Sequence, residues 1–281
     1  MKRKASESRL ATPYAIWSVL FIVVPLILIV FFSFTQQVDG RYVFTTANFE
    51  KFFNPMYFKV IRRSLVLALI STVLCLIVGY PTAYIISKAK PSKRGILLLL
   101  CILPMWMNFL LRTYAWSAIL GRNGFINTLL KFIGLSPVNI LYTDTAVLLG
   151  MVYNFLPFMI LPIHTVLSKM DHDLINAARD LGANSFQVFT KVIFPLSLPG
   201  VVSGVTMVFM PAVSTFVISK LLGGGQFYLI GNLIEQEFMS VGDWHFVSAI
   251  SIFMMIIILI SMAIMNKYSN GNDKEGGGLL L

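Results

Sequence analysis

The sequence predicts an all-α polytopic membrane protein, a bundle of six transmembrane helices, and three observations carry that expectation. Of its 281 residues 57% are hydrophobic and only 12% charged, a balance that excludes an ordinary soluble domain. Runs long enough for a membrane helix, about 20 apolar residues, recur at Pro13–Phe34, Ser64–Ser87, Gly95–Leu111 extending to about Leu120, Thr145–Ser168, Pro199–Ser219 and Phe246–Asn266. Lys and Arg collect in alternate connections between these runs, as they do on the cytoplasmic face of membrane proteins.

The first run follows Lys2, Arg3 and Lys4. Its length, and the lack of a small-x-small pattern before Gln36, read as a retained helix rather than a signal peptide. Lys2, Arg3, Lys4 and Arg9 precede that helix, Lys88, Lys90, Lys93 and Arg94 lie between the second and third, and Lys169, Arg179 and Lys191 follow the fourth. Both termini are therefore expected in the cytoplasm. Arg62 and Arg63 count against this orientation, lying on the expected outer side at the start of the second helix, where they can snorkel to the headgroups; the overall bias still favours termini inside. The formal net charge of +10 is spread over short loops rather than gathered on one face, which argues against a nucleic-acid partner.

The chain divides into a first helix with its outer segment (1–63), a core of five helices (64–268) and a cytoplasmic tail (269–281). Thr35–Arg63, Gly121–Asp144 and Lys220–His245 are the expected outer segments. Cys75 and Cys101 lie within helices, with neither metal-ligand nor redox spacing. Arg112 and His164 are the ionisable residues inside the spans. Arg112 is expected to snorkel or to pair with an acid such as Asp144, and His164 to hydrogen-bond a neighbouring helix.

The connection between the fourth and fifth spans is the most informative stretch. Asp171 or Asp173 can cap a short helix and Gly182 can end it in a left-handed turn. Asn184 or Ser185 can start a second helix with Phe186, Phe189, Val192 and Ile193 on one face, ahead of Pro195 and Pro199. From these residues alone the hairpin is either a cap on the bundle or a docking element.

Ala177-Ala178, Gly182, Phe189, Val192, Pro195 and Pro199 resemble the coupling-loop signature of ABC importer permeases of the MetI-like superfamily. The resemblance implies a MetI-like permease fold whose short cytoplasmic coupling helix docks into an ATPase subunit. Leu174, Asn176, Ala177, Ala178, Asp180, Leu181, Gly182 and Phe189 carry that role by position. The family usually has Glu where Asn176 stands, so an amide hydrogen bond replaces an ionic contact there. Arg112-Thr113-Tyr114-Ala115-Trp116, Gly121-Arg122-Asn123-Gly124, Met151 to Phe158, Leu221-Leu222-Gly223-Gly224 and Ile230 to Ile234 look like spermidine/putrescine permeases, those of PotB type above all.

That resemblance implies a non-catalytic subunit of a polyamine importer in a bacterial cytoplasmic membrane. Its partners would be two ATPase subunits, a second homologous permease, an extracytoplasmic polyamine-binding protein and lipid. No cofactor or metal is expected on this chain; ATP and Mg belong to the ATPases, since no Gly-x-x-x-x-Gly-Lys-Ser/Thr loop occurs here. An ion-coupled secondary transporter or channel, which usually carries Asp, Glu or Lys within the membrane, and an importer of another small solute are the alternatives.

A flexible polycation calls for acceptors and aromatic faces. Trp106, Asn108, Tyr114, Tyr153, Asn154, Thr215 and Glu235 are the candidates along its path, although each also reads as packing or ordinary solvated polarity. Relatives often carry an aspartate after the Pro-Ala pair of the fifth span, where Pro211-Ala212-Val213-Ser214-Thr215 offers hydroxyls. Glu235, Glu237 and Asp243, with His245, form an expected acidic outer surface.

Overall fold

The computed structural model describes residues 13–14, 16–225 and 227–273. The basic residues before the first helix, and the last part of the tail, lie outside them. Among the described residues five helices are long and apolar enough to cross a membrane, or six when one bent pair counts as a single span. The chain forms two compact units, one from Met1–Lys59 with Leu233–Ile258 and one from Val60–Asn232 with Leu259–Leu281.

In the first unit α1 (Ile16–Ser33) leads into a β-hairpin, β1 (Thr35–Val38) and β2 (Arg41–Phe44), paired antiparallel. Asp39 and Gly40 both take positive φ, 51° and 75°, the conformation in which a two-residue turn matches strand twist. This hairpin departs from the all-helical expectation. Buried Asn48 fastens it to the end of α1, its Nδ2 donating to Ser33 O at 3.1 Å and Thr35 O at 3.0 Å. Phe34 stacks on Phe44 with ring centroids 5.8 Å apart.

Helix α2 (Pro55–Lys88), which enters the second unit at Val60, starts at Pro55 instead of Ser64, so Arg62 and Arg63 lie within it. The third span is not continuous: α3 (Pro91–Trp106) and α4 (Phe109–Leu120) are parted at Met107 and Asn108, and the helices on either side lie at 93°. Both break residues are extended, with ψ of 147° and 128°, and Asn108 Oδ1 caps α4 by accepting from Leu110 N at 2.9 Å. A short amphipathic helix, α5 (Phe125–Phe132), follows.

Helix α6 (Asp144–Lys169) agrees with the expected fourth span. Then come α7 (His172–Asp180) and α8 (Ser185–Ser214). The sequence suggested a hairpin helix ending before Pro195 and a separate fifth span from Pro199 to Ser219. Instead α8 runs through both prolines. A π-turn at Phe189–Ile193 widens the helix just where Pro195 removes an amide and crowds the preceding turn, so the rod continues. It stops at Ser214 because Thr215 turns extended, with ψ of 137°.

Helices α6 and α8 share the most extensive contact in the fold, and glycine makes it possible. A Cβ on Gly200 would lie 3.0 Å from Pro162 O, and one on Gly204 2.8 Å from Met159 Sδ. From α2, a Cβ on Gly79 would meet Met159 Cγ at 2.9 Å. Small residues one turn apart let helix backbones close together where lipid supplies no hydrophobic drive.

Past Thr215 the chain turns back through α9 (Val217–Leu222) and into α10 (Ile230–Gln236). Asn232 Oδ1 accepts from Ser219 Oγ and from Leu229 N at 3.2 Å, and its Nδ2 donates to Phe216 O at 3.0 Å. Leu222, Leu229, Ile230 and Leu233 are buried, so part of the stretch Lys220–His245, expected as outer surface, is core, while Met239, Val241 and Trp244 remain exposed. Helix α11 (Trp244–Asp273) closes the described chain.

Candidate functional site

The hairpin of α7 and the start of α8 is built as its residues suggest. Asp171 Oδ1 accepts from Asp173 N at 2.9 Å and starts α7. At the other end Gly182 N donates to Arg179 O at 2.8 Å and Ala183 N to Ala178 O at 3.1 Å, with Gly182 at φ +84°; this is a Schellman cap. Asn184 and Gln187 then exchange side-chain and backbone bonds, both at 2.9 Å, as a capping box that starts α8.

The capped hairpin presents an unpartnered apolar stripe. Leu174, Ala177 and Leu181 are exposed, Leu181 to 89%, while Ile175 and Ala178 turn half-inward. Asn176, Asp180 and Gly182 are exposed beside the stripe. A Cβ on Gly182 would meet open space. The expected face of the second helix is corrected: Val188 and Ile193 are buried but Phe186 is 75% exposed, because the π-turn shifts the register. Phe189 faces inward, edge-on to Tyr80 and Tyr84 at 5.8 and 5.7 Å. Tyr80 also shares a 2.8 Å hydrogen bond with Ser197, so α2 and α8 are tied together behind the hairpin. Phe189 thus packs against α2, while Leu174, Ala177 and Leu181 stay exposed.

The candidates for a cargo path are scattered. Trp106 is 77% exposed at the end of α3, and Asn108, two residues on, is occupied as a cap. The bend they flank includes Arg112, which is buried and neither snorkels nor pairs with Asp144. Its guanidinium donates to Pro104 O and lies 5.8 Å from the Phe109 ring and 5.7 Å from that of Tyr153. Asp144 is bonded instead by Arg63, whose guanidinium also lies 4.2 Å from the Phe227 ring. Tyr153 also meets Trp116 edge-on at 5.2 Å.

Tyr114 is exposed on α4. Asn154 is buried and donates back to Gly150 O at 2.7 Å, leaving its Oδ1 unpartnered. Thr215 is buried at the end of α8, and Glu235 is half-buried on α10. The bend therefore groups Trp106, Asn108 and, through Arg112, Tyr153; it does not gather the others. Buried His164 has an unpartnered Nε2 in place of the expected interhelical bond.

In the first unit Asp243 and Glu237 are engaged. Asp243 Oδ2 accepts from Lys51 Nζ at 2.7 Å and its Oδ1 from Phe246 N at 3.0 Å, capping α11. Burial alone would raise the Asp243 pKa, but the Lys51 hydrogen bond, the Phe246 amide and the charges of Lys51 and His245 hold it below the usual carboxylate value. Tyr57 Oη donates to Glu237 Oε1 at 3.4 Å.

Sequence reasoning missed three features that had a signal. Asp39-Gly40 is a hairpin turn dipeptide, Gly200-x-x-x-Gly204 is a helix-packing pattern, and Asn232 is a polar residue amid apolar ones.

Residues 75–271 match the family described as binding-protein-dependent transport system inner membrane component. The chain belongs to this family. It is a multi-pass membrane component of a transport system, an ABC importer permease rather than a catalytic subunit. A relative, the spermidine/putrescine transport system permease protein PotB of Haemophilus influenzae, is 42% identical over 249 residues, 87% of each chain. The fold matches the crystal structure of a bacterial ABC transporter involved in the import of the acidic polysaccharide alginate, with a TM-score of 0.81 over 96% of each chain at 18% identity. A second structure of the alginate transporter, in complex with an alginate pentasaccharide-bound periplasmic protein, gives the same TM-score over 95% of each chain, again at 18% identity. The MetI-like permease expectation is met.

Proposed function

We propose that this chain is one permease subunit of an ATP-driven importer of polyamines, spermidine or putrescine, in a bacterial cytoplasmic membrane. The observation that carries the cargo is the 42% identity to a spermidine/putrescine permease over 87% of the chain. Two ATPase subunits, carrying ATP and Mg, a second homologous permease and an extracytoplasmic polyamine-binding protein complete the machine. The neighbour crystallised with its periplasmic protein supports the last of these. Residues 64–268 are assigned to the permease core, with 1–63 before it and 269–281 after it, α11 itself running to Asp273, and both termini on the cytoplasmic side.

Coupling falls to residues of this chain. Leu174, Ala177 and Leu181 offer an apolar stripe to the ATPase, with Asn176 and Asp180 as its polar rim and Ala178 and Gly182 fixing its shape. Because α7 is capped at both ends and α8 is an unbroken rod, displacement of the hairpin is transmitted along α8. Phe189 passes it to α2 through Tyr80 and Tyr84. Trp106, Asn108, Tyr114, Tyr153, Asn154, Thr215 and Glu235 remain candidates for the path, Tyr153 best placed by its ring contacts near the bend.

The test is uptake of radiolabelled spermidine and putrescine by proteoliposomes holding the complete complex. ATP-dependent accumulation is expected, and ATP-driven import of another solute with no import of either polyamine would reject the cargo.

A further inference from the structure

Lys51 places an ammonium group in a setting suited to organic cations. Its Nζ lies 2.7 Å from Asp243 Oδ2 and 4.9 Å from the Phe246 ring centroid, so it has a carboxylate on one side and an aromatic face on another. The two carboxylate oxygens have separate duties, because Oδ1 caps α11 through Phe246 N. Only Oδ2 meets the ammonium. The side chains of Lys51 and Asp243 are 39% and 28% exposed, and an ion pair so open to solvent is weak and exchangeable.

The same carboxylate lines a cavity of about 470 Å³ together with Gln36, Gln37, Tyr42, Trp244 and His245. Tyr42 and Trp244 are more than half exposed, and their rings provide faces for a cation or its methylene chain. The amide oxygens of the two glutamines are acceptors. His245 is held in place, its Nδ1 3.1 Å from Phe32 O and its ring 6.1 Å from that of Tyr42. An ammonium group on a short methylene chain matches this arrangement of one carboxylate, two aromatic faces and two amides.

We propose that this cavity binds one ammonium end of an organic di- or polyammonium ion, which takes Asp243 Oδ2 from Lys51. Lys51 is then a built-in competitor: it satisfies Asp243 when the site is empty and yields it to the cation. The identity of the cation rests on the polyamine reading, while the chemistry of the site rests on these residues.

The experiment is equilibrium dialysis of radiolabelled putrescine against the full chain in nanodiscs of neutral phosphatidylcholine. Lys51→Met removes the competitor and is expected to tighten binding about two- to fivefold, the worth of an exposed pair. Asp243→Asn keeps a good helix cap but loses the charge, and is expected to weaken binding at least about tenfold. Gln37→Leu, an exposed change, should weaken it in a chain of unaltered melting temperature. Uncharged 1,4-butanediol should not compete. Unchanged binding in Asp243→Asn, weaker binding in Lys51→Met, or competition by the diol would each overturn the proposal. If the assembled complex imports polyamine but this pattern is missing, the cavity assignment alone falls. If the pattern holds but no polyamine is imported, the site stands and the cargo reading falls.

Discussion

At φ +84° Gly182 occupies backbone space that side-chain-bearing residues avoid, yet a Cβ there would touch nothing. Substitution is therefore costly for conformation alone. Gly182→Val is expected to lose about 1–3 kcal/mol of local stability and to reduce coupled transport while the chain still reaches the membrane. Gly182→Asn, tolerant of this turn, should retain most of the transport. Uptake normalised to membrane-inserted protein is the readout, and equal transport by all three forms would dismiss the hairpin's shape as a requirement. Asp243 gives a pH prediction. Its pKa is held below the usual value near 3.8, so the ion pair contributes stability above that value and loses it as pH falls through the lower, folded-state pKa. Thermal unfolding followed from about pH 5 to about pH 3 should fall more steeply for the wild type than for Asp243→Asn; parallel curves would rule the pair out as a source of acid sensitivity. Asp171, Gly182 and Asn184 were legible in the sequence because caps are local. The partners of Arg63 and Asp144 were not, since 81 residues separate them and nothing local marks the pair.

At the scale of elements, the two glycines of α8 set how near α6 can come. Gly200→Ile pushes a branched side chain against Pro162 O and Ile163 Cα, 3.0 and 3.1 Å from where its Cβ would stand. Overpacking of this kind costs about 1–3 kcal/mol, so the purified chain in detergent should melt several degrees lower than wild type. The same substitution at Gly95, where a Cβ meets nothing, should not. Equal melting of the two variants would contradict the close α6–α8 contact. The fourth and sixth spans could be located from hydropathy because each is one apolar helix. The third could not, because composition stays apolar across a 93° bend that depends on backbone torsions at Met107 and Asn108. The fifth looked shorter than it is because Pro195 signals a helix end, and only the π-turn before it explains why the helix continues.

For the whole molecule, the distribution of Lys and Arg predicts that the hairpin and both termini share the cytoplasmic side. Cysteines introduced at Lys90 and Asn184 should resist an impermeant reagent applied from outside, and labelling of both from that side would reverse the topology. The family and the capped hairpin were legible in the sequence, whereas the grouping of the path candidates was not: the aromatic and amide residues fall on several helices, and only the fold shows which of them meet. The central claim is that this chain couples ATP hydrolysis by partner subunits to polyamine entry through the stripe of Leu174, Ala177 and Leu181. The most direct measurement compares ATP-driven uptake of radiolabelled spermidine and putrescine by complexes carrying wild-type chain or Leu181→Asp, a change at a residue 89% exposed that cannot disturb the core. Polyamine is expected to accumulate with the wild type, and accumulation to be lost with Leu181→Asp, as a charge displaces an apolar contact in the docked interface. Undiminished ATP-driven uptake in the variant complex would contradict that claim.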